Sequence, residues 1–382
     1  MNYPGQLEHF WREQARRAWD FLPEPALLDR VRPHVQALSD RFTTERTGIA
    51  SDYGDDADAR IAYGLFFFPQ TFVRTLVVLE ECWRPPAEGS VRILDLGAGT
   101  GAAGLAALHR LGGRPARLLA VDRSAGSLAV LRDAAAECNA LWPGAGVETD
   151  QSDLTARSDR TDLFDLILCS FALNELAERD PAFDGAAWLR GLLARLAPGG
   201  LLVVIEPALK VTAQRLEALR DRVAAEGWAR IVGPCLHHGP CPLRAEGRFW
   251  CHEVRRWNPP PFAEKINRTL FRDLPHLKFS FLALAGGASS PSEPLSPTDA
   301  SRARLVAPMT EERGKFVTRG CAADGALHDY EVLTRHLDRD RRAAVAAIER
   351  GARVAWGNLT RLGNGALRAE GVAPADVSPG EP

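Results

Sequence analysis

Lysine is scarce: Lys210, Lys265, Lys278 and Lys315 are the only four among 47 lysines and arginines. Positive charge here is therefore arginine charge, carried by a planar fork that grips phosphate and carboxylate better than an ammonium does. A net charge is missing too. At −2 the chain has no overall pull toward nucleic acid, so any RNA contact must come from a local patch. No apolar run reaches the roughly 20 residues of a membrane span. Met1-Asn-Tyr-Pro-Gly-Gln-Leu-Glu-His-Phe-Trp11 has neither a basic n-region nor an apolar h-region. The expectation is a cytoplasmic monomer with no membrane contact. Internal repeats of roughly 20 to 50 residues are absent, which argues against solenoids and propellers. The composition, 46% hydrophobic and 25% charged, excludes global disorder. Seven cysteines in a cytosolic chain read as thiols or metal ligands before disulfides.

What is present begins with helices. Leu28, Val31, Val35, Leu38 and Phe42 recur at spacings of 3 and 4, which predicts an amphipathic helix over 23–42. Ser51-Asp-Tyr-Gly-Asp-Asp-Ala-Asp58 is turn-rich. The aromatic run ending at Phe68 is expected to break or kink at Pro69, with a second helix over 71–83. Residues 1–85 thus read as a helical region, closed by Pro85-Pro-Ala-Glu-Gly-Ser90.

Residues 86–285 alternate strands and helices. Val91-Arg-Ile-Leu-Asp-Leu-Gly-Ala-Gly-Thr-Gly101 is a buried strand breaking into three alternate glycines. Further strands are expected over 117–122, 146–149, 163–169, 201–206, 228–232 and 277–284, with helices over 102–111, 127–138 and 188–196. This pattern means a doubly wound, mostly parallel α/β sheet of seven strands, with ligands at the carboxyl ends of its strands. Gly97, Gly99 and Gly101 follow the first strand, Asp122 the second and Asp153 the third. An acid about 20 residues beyond a glycine loop can hold both ribose hydroxyls, in NAD and in S-adenosylmethionine (SAM) enzymes alike. Asp95, two residues before the first glycine, can face an ammonium group. The G-x-G-x-G spacing and Pro198-Gly-Gly200 before the fifth strand favour SAM, with NAD and a purely structural turn as alternatives. Ser170, Asn174 and Glu175 follow the fourth strand, where the cofactor's methyl group would lie; Ser170 is a candidate cofactor contact, Asn174 and Glu175 candidate catalytic residues. No Asn/Asp-Pro-Pro-aromatic motif occurs there, so methylation of a base amino group is not indicated. Asn258-Pro-Pro-Pro-Phe262 falls after a different strand and reads as a loop. A convincing general base is also missing, which leaves positioning and desolvation as sources of catalysis.

A cysteine-bearing insertion is expected over 233–277. Cys235, Cys241 and Cys251 fall within 17 residues, at a C-x5-C-x9-C spacing that fits no zinc finger, while Cys-Pro recurs at iron–sulfur ligands. Cys321 is the candidate fourth ligand, with His237, His238 and His252 as competitors. Unconnected buried cysteines are the plain alternative. Cys82, Cys138 and Cys169 lie in helix or strand contexts and read as core. Between Cys235 and Ser280, eight basic residues outnumber four acids, and Phe249, Trp250, Trp257, Phe262 and Phe271 are interleaved. A helical basic stretch after Cys251 is expected. Basic side chains with stacking rings suit RNA, and a solvated basic face is the alternative. The RNA-facing candidates are Arg244, Arg248, Arg255, Arg256, Lys265, Arg268 and Arg272. Further on, 286–300 reads as a flexible loop. A β/α extension over 301–362 carries three strands, Cys321 and a last helix over 341–362, and 363–382 reads as frayed.

Taken together, these residues resemble the methyltransferase-like proteins of the mitochondrial and bacterial small ribosomal subunit. The resemblance rests on 95–101, Ser170-Phe-Ala-Leu-Asn-Glu-Leu176, Pro234-Cys-x5-Cys-Pro242, Trp250-Cys-His252, Lys278-Phe-Ser-Phe-Leu282, the Cys321 turn and Trp356-Gly-Asn358, across roughly 25–360. It implies a class I SAM-methyltransferase fold, a [4Fe–4S] cluster on Cys235, Cys241, Cys251 and Cys321, and a role on the small subunit and its 16S-type rRNA during assembly or translation. It departs from the family pattern at Cys235-Leu-His-His238 and at Trp250-Cys-His-Glu253. Two other readings stand beside it: a non-catalytic assembly factor, and a small-molecule methyltransferase with structural Zn2+.

Overall fold

The computed structural model describes residues 2–43, 54–155, 161–286 and 300–374. Most of the expected loop at 286–300, and the tail beyond 374, lie outside the described residues. The first helix, α1 (Gly5–Ala18), has no counterpart in the sequence reading; it buries Leu7, Phe10, Trp11 and Ala15 on one face. The expected amphipathic helix is α2 (Glu24–Thr43), whose buried face carries Leu27, Val31, Val35 and Leu38. Next come α3 (Ala57–Ala62), a π-helical turn (Tyr63–Phe67) and α4 (Phe68–Cys82). Pro69 does not break this run. It occupies the first turn of α4 directly after the π turn, where a missing N–H leaves no helical bond unmade. The whole stretch Ala57–Cys82 is, among the described residues, the one helix long and apolar enough to cross a membrane, contrary to expectation. Its apolar window is 78% buried inside the protein, as in a core helix.

The α/β segment runs β1 (Val91–Leu96), α5 (Ala102–Arg110), β2 (Ala116–Asp122), α6 (Ala125–Glu137), β3 (Ala145–Gln151), β4 (Phe164–Ser170), α7 (Leu173–Arg179), α8 (Gly185–Leu193) and β5 (Leu196–Pro207). The strands lie in the order β3-β2-β1-β4-β5, all parallel. β1 and β4 are buried along almost their whole length, as strands covered by helices on both faces must be. The parallel order reverses between β1 and β4, so the carboxyl ends of these two strands flank the switch point where ligands bind in such sheets. This is the α/β core of a class I SAM-methyltransferase fold.

After β5 come α9 (Lys210–Glu226), β6 (Arg230–Gly233), α10 (Pro242–Glu246), β7 (Glu253–Arg256), α11 (Pro261–Asn267) and β8 (His276–Ala285). β6 runs antiparallel to β8, and β7 also pairs with β8. The seven expected strands are present and β7 is an eighth. Arg255 and Arg256 therefore lie on a strand, not on the expected basic helix.

The C-terminal strands are β9 (Arg302–Leu305), β10 (Thr310–Glu312), β11 (Lys315–Ala322), β12 (Leu327–Leu333), β13 (Arg353–Gly357), β14 (Thr360–Arg361), β15 (Leu367–Ala369) and β16 (Gly371–Pro374), with α12 (Arg339–Ala346) between β12 and β13. They form a second sheet, and its core packs Tyr330 flat on Trp356 at 4.3 Å. Two expectations fail here. The last helix ends at Ala346 because Val354 and Trp356 alternate inward, a strand period. Residues 367–374 do not fray; they pair with β12 and β13.

Two compact units emerge. One comprises the chain up to Ile205 with Trp257–Leu277; the other comprises Glu206–Arg256 with the chain from Lys278 onward. The expected insertion, 233–277, is thus divided between them.

Candidate functional site

In the first unit the carboxyl ends of β1 and β4 gather most of the predicted site residues. Gly97, Gly99 and Gly101 all have positive φ (69°, 51° and 91°). A Cβ on Gly97 would stand 2.4 Å from Ala172 Cβ, and one on Gly101 would stand 2.6 Å from Leu131 Cγ. Those two glycines serve packing. Gly99 faces nothing within 4 Å, so its backbone is the one open to a ligand.

Asp95 is 1% exposed. Its Oδ2 accepts from Gly104 N–H at 2.8 Å, while Oδ1 is buried without a partner. Burial, with a smaller push from Asp122, raises its carboxyl to about 7. Asp122 is held from both sides: Gly99 N–H donates to Oδ2 and Ser124 N–H to Oδ1, each at 2.8 Å. Burial raises this carboxyl against those donors. Ser170 Oγ and Thr100 Oγ1 are likewise buried without partners. An unpartnered buried polar atom costs about 1–3 kcal/mol. Three on one sheet edge mark a seat for a polar ligand.

Asn174, on α7, gives its Nδ2 to Phe171 O at 2.7 Å, and Phe171 holds φ of 63°, unusual for a bulky residue. The neighbouring Glu175 is pushed by burial up to about 8. Asp153 is placed differently. Its Oδ1 accepts from Thr155 N–H (2.8 Å), Thr155 Oγ (2.7 Å) and Arg179 (2.8 Å), and its side chain is 42% exposed. Partial burial opposes these donors, yet they lower it to about 2. Sequence reasoning missed two further members. Burial raises Tyr63, whose hydroxyl lies 3.4 Å from Thr71 and which feels both Glu175 and Asp95. Arg74 lies over the Phe171 ring at 5.5 Å, and burial lowers it to about 10. A charged residue inside the apolar run Phe72–Val78 was the available signal.

These shifts set a pH dependence. Asp95 and Glu175 hold protons in the fold that the unfolded chain releases near pH 4, so their burial destabilises the fold progressively as pH rises to about 8. His237 and His252, lowered to about 4 by burial, act oppositely, but only below about 6.5. The ligand-free melting temperature should therefore fall between pH 6.5 and 8. Calorimetry at fixed ionic strength checks this, and a flat or rising profile would refute the assigned burial of the two acids.

In the second unit Cys235, Cys241, Cys251 and Cys321 line one cavity, and none of the four is in a disulfide. Glu217, Arg220, His237, Arg304 and Phe281 also line it. Burial and mutual repulsion raise Cys241 to about 12 and push Cys251 and Cys321 well above the ordinary thiol range. The backbone around the sulfurs is pinned. Cys241 N–H donates to Asp221 at 2.8 Å, Cys251 N–H to Glu217 at 2.6 Å, and Ser280 Oγ to Cys251 O at 2.8 Å. Among the described residues, no three Cys, His, Asp or Glu side chains converge tightly enough to hold a single metal ion. The four thiols are among the side chains that line the cavity. His238 and His252 make no contact with a cysteine sulfur among the described hydrogen bonds, while His237 Nε2 lies 3.4 Å from Cys321 Sγ. Cys82, Cys138 and Cys169 are buried in the first unit.

A family model matches most of the chain. The family model described as mitochondrial small ribosomal subunit Rsm22 matches residues 57–360. The chain belongs to the Rsm22 family. No curated protein sequence matches it. Solved structures resemble it remotely. A protein of Listeria monocytogenes assigned as a class I SAM-dependent methyltransferase is 12% identical, covering 76% of this chain and 90% of its own, with a TM-score of 0.41. The plantazolicin methyltransferase BpumL, in complex with SAH, is 11% identical, covering 69% and 99%, with a TM-score of 0.34. An O-methyltransferase family protein of Burkholderia thailandensis is 13% identical, covering 65% and 64%, with a TM-score of 0.35.

The basic residues expected to face RNA are divided between the units of this Rsm22-family chain. Arg244, Arg248, Arg255 and Arg256 fall in the second and Lys265, Arg268 and Arg272 in the first. Several have internal partners. Lys265 pairs with Glu24 at 2.5 Å, Arg272 with Asp40 at 3.4 Å and Arg244 with Asp221 at 3.5 Å. Arg255 binds Arg350 O and Gly351 O and pairs with Glu253, fixing β7. Arg248, Arg256 and Arg268 are exposed, as are Phe249 and, at 87%, Phe271.

Proposed function

We propose that this Rsm22-family chain is a SAM-dependent methyltransferase acting on small-subunit rRNA during assembly or translation, its second unit organised by a [4Fe–4S] cluster. The observation that carries the first part is the open Gly99 backbone beside a buried Asp95 with one unpartnered oxygen, at the switch point of a doubly wound sheet. The residues fit the cofactor. Asp95 Oδ1 offers its lone pairs to an ammonium, and Asp122, oriented by two backbone N–H groups, has acceptor capacity left for ribose hydroxyls. Ser170 Oγ and Thr100 Oγ1 would supply further polar contacts, and Asp153, held by Thr155 and Arg179, stays an expected contact. Bound SAM supplies a methyl group on a cationic sulfur. Around it, Asn174 positions the loop through Phe171 O, and Glu175, raised by burial to about 8, holds a proton at neutral pH. Only its carboxylate form would accept the proton of the attacking group as the methyl is transferred. Buried walls exclude water.

The four-cysteine cavity supports the cluster. Four sulfur donors lining one cavity suit a polynuclear cluster. A single Zn2+, with bonds of about 2.3 Å, would draw its ligands onto one point. Cys235, Cys241, Cys251 and Cys321 would hold it. The exposed Arg248, Arg256, Arg268, Phe249 and Phe271 are the side chains available for phosphate and base stacking. A non-catalytic assembly factor is the second reading, favoured by the engagement of the Asn174 amide with its own loop.

The test uses full-length protein purified without oxygen. Calorimetry should detect SAM binding, and labelled SAM should transfer methyl to immature small-subunit particles. SAM binding without transfer favours the assembly factor, and no binding overturns the enzyme.

A further inference from the structure

We propose that Arg220 and His237 are positioning residues for the four-cysteine site, each donating an N–H···S hydrogen bond to one ligand sulfur and so setting the reduction potential of the cluster. The inference rests on the cluster reading above; it adds Arg220, which the sequence reading did not name, and gives His237 a role other than the ligand position for which it competed there.

Arg220 lies on the buried stripe of α9, beside Ala213, Leu216, Glu217 and Val223, and is 3% exposed. A buried guanidinium needs every donor placed. Nη1 donates to Gly239 O and pairs with Asp221 at 3.0 Å; Nη2 donates to His237 O at 2.6 Å and meets His237 Nδ1 at 3.4 Å. These contacts fix the fork so that Nε–H points at Cys235 Sγ, 3.3 Å away. The bond to sulfur is the remaining donor of a group locked on all other sides.

His237 follows from Arg220. Guanidinium has no acceptor, so we take the tautomer in which Nδ1 is the bare nitrogen accepting from Nη2, over the alternative in which the ring donates to Gly239 O. Nε2 then carries the proton, and Nε2–H donates to Cys321 Sγ at 3.4 Å. A nitrogen bearing that hydrogen is not a metal ligand, which leaves the fourth position to Cys321. Cys235 and Cys321 thus receive side-chain donors, whereas the pinning of Cys241 and Cys251 runs through their backbone. Arg304, the other buried cation at the cavity, is neutralised by Glu253 at 2.6 Å and held by Pro234 O and Gly351 O. Donors to cluster sulfurs withdraw electron density and stabilise the more negative, reduced form, raising the potential.

The experiment is an anaerobic spectroelectrochemical titration of the full chain with added reductant, alongside iron and sulfide analysis. Arg220→Gln should keep the iron and lower the reduction equilibrium at least tenfold, about 59 mV for a one-electron couple. Arg220→Lys should recover part of that shift, and serves if the glutamine variant does not fold. His237→Leu should lower the potential by less, with His237→Gln, whose amide can still donate, closer to the wild type. Iron-replete variants with unchanged potentials would overturn the proposal alone. So would loss of iron in His237→Leu with retention in Cys321→Ser, since His237 would then be the ligand. Wild-type protein lacking iron would overturn the cluster reading first and this inference with it.

Discussion

Asp95→Asn lowers affinity for SAM on the order of 100-fold and leaves the fold standing. The carboxylate has two separable jobs. Oδ2 accepts from Gly104 N–H and so anchors the start of α5 to β1; an amide oxygen can accept the same bond. Oδ1 is buried and unpartnered, and an amide nitrogen placed there can neither accept from an ammonium nor neutralise it. Removing one partner of a buried, charge-assisted pair costs about 2–5 kcal/mol. The variant should also match or exceed the wild type in thermal stability at pH 8, because the charge that burial opposes is gone. Calorimetric titration and melting at pH 8 on the same samples decide the matter. Normal SAM binding by Asp95→Asn would assign the ammonium to another residue. A collapse in stability would make Asp95 a structural residue first.

Much of the first unit was legible because its signals are local. A β-branched run ending in Asp95 and alternate glycines can hardly form anything but a strand turning into a helix, and Gly97, Gly99 and Gly101 all require the left-handed backbone that only glycine adopts freely. The spacing also placed Asp122 at the end of the second strand. It could not distinguish Asp122, braced by Gly99 and Ser124, from Asp153, tied to Thr155 and Arg179, because those braces depend on which loops meet.

Other features were hidden for a shared reason: their cause is tertiary. Residues 341–362 are rich in arginine and alanine and have helical propensity throughout, but Trp356 stacks on Tyr330 in a sheet core, and packing outweighs propensity. Arg74 and Arg220 each interrupt an apolar face. That is a readable anomaly, yet its meaning appears only when Phe171 or Cys235 arrives from another part of the chain. The basic patch looked continuous in sequence because Arg244 to Arg272 is one stretch. The fold assigns its halves to different units and pairs Lys265, Arg272 and Arg255 internally.

On the proposed cluster reading, Cys241→Ser should remove the metal, and with it the stability and RNA affinity of the second unit. The substitution exchanges one atom. Cys241 packs against Leu243 and Val306, and its N–H bond to Asp221 does not involve the sulfur, so the metal-free fold should tolerate serine. Whatever is lost beyond that reports on the metal. Iron should fall from about four per chain to a small fraction, with the absorbance near ~400 nm. Because ligands that bind only the folded state stabilise it by mass action, melting should drop on the order of 10 °C. Three half-buried thiols left around an unfilled cavity would then loosen the segment that displays Arg248, and binding to naked small-subunit rRNA should weaken. Cys138→Ser is the control: this cysteine is buried in the first unit, 3.7 Å from Gln6 O, and its loss should change neither iron nor RNA affinity. A colourless wild type holding one zinc would exclude the cluster. Full RNA affinity in iron-free Cys241→Ser would show that the exposed arginines and rings act without the metal, so that the cluster is a staple of the second unit and no part of its RNA surface.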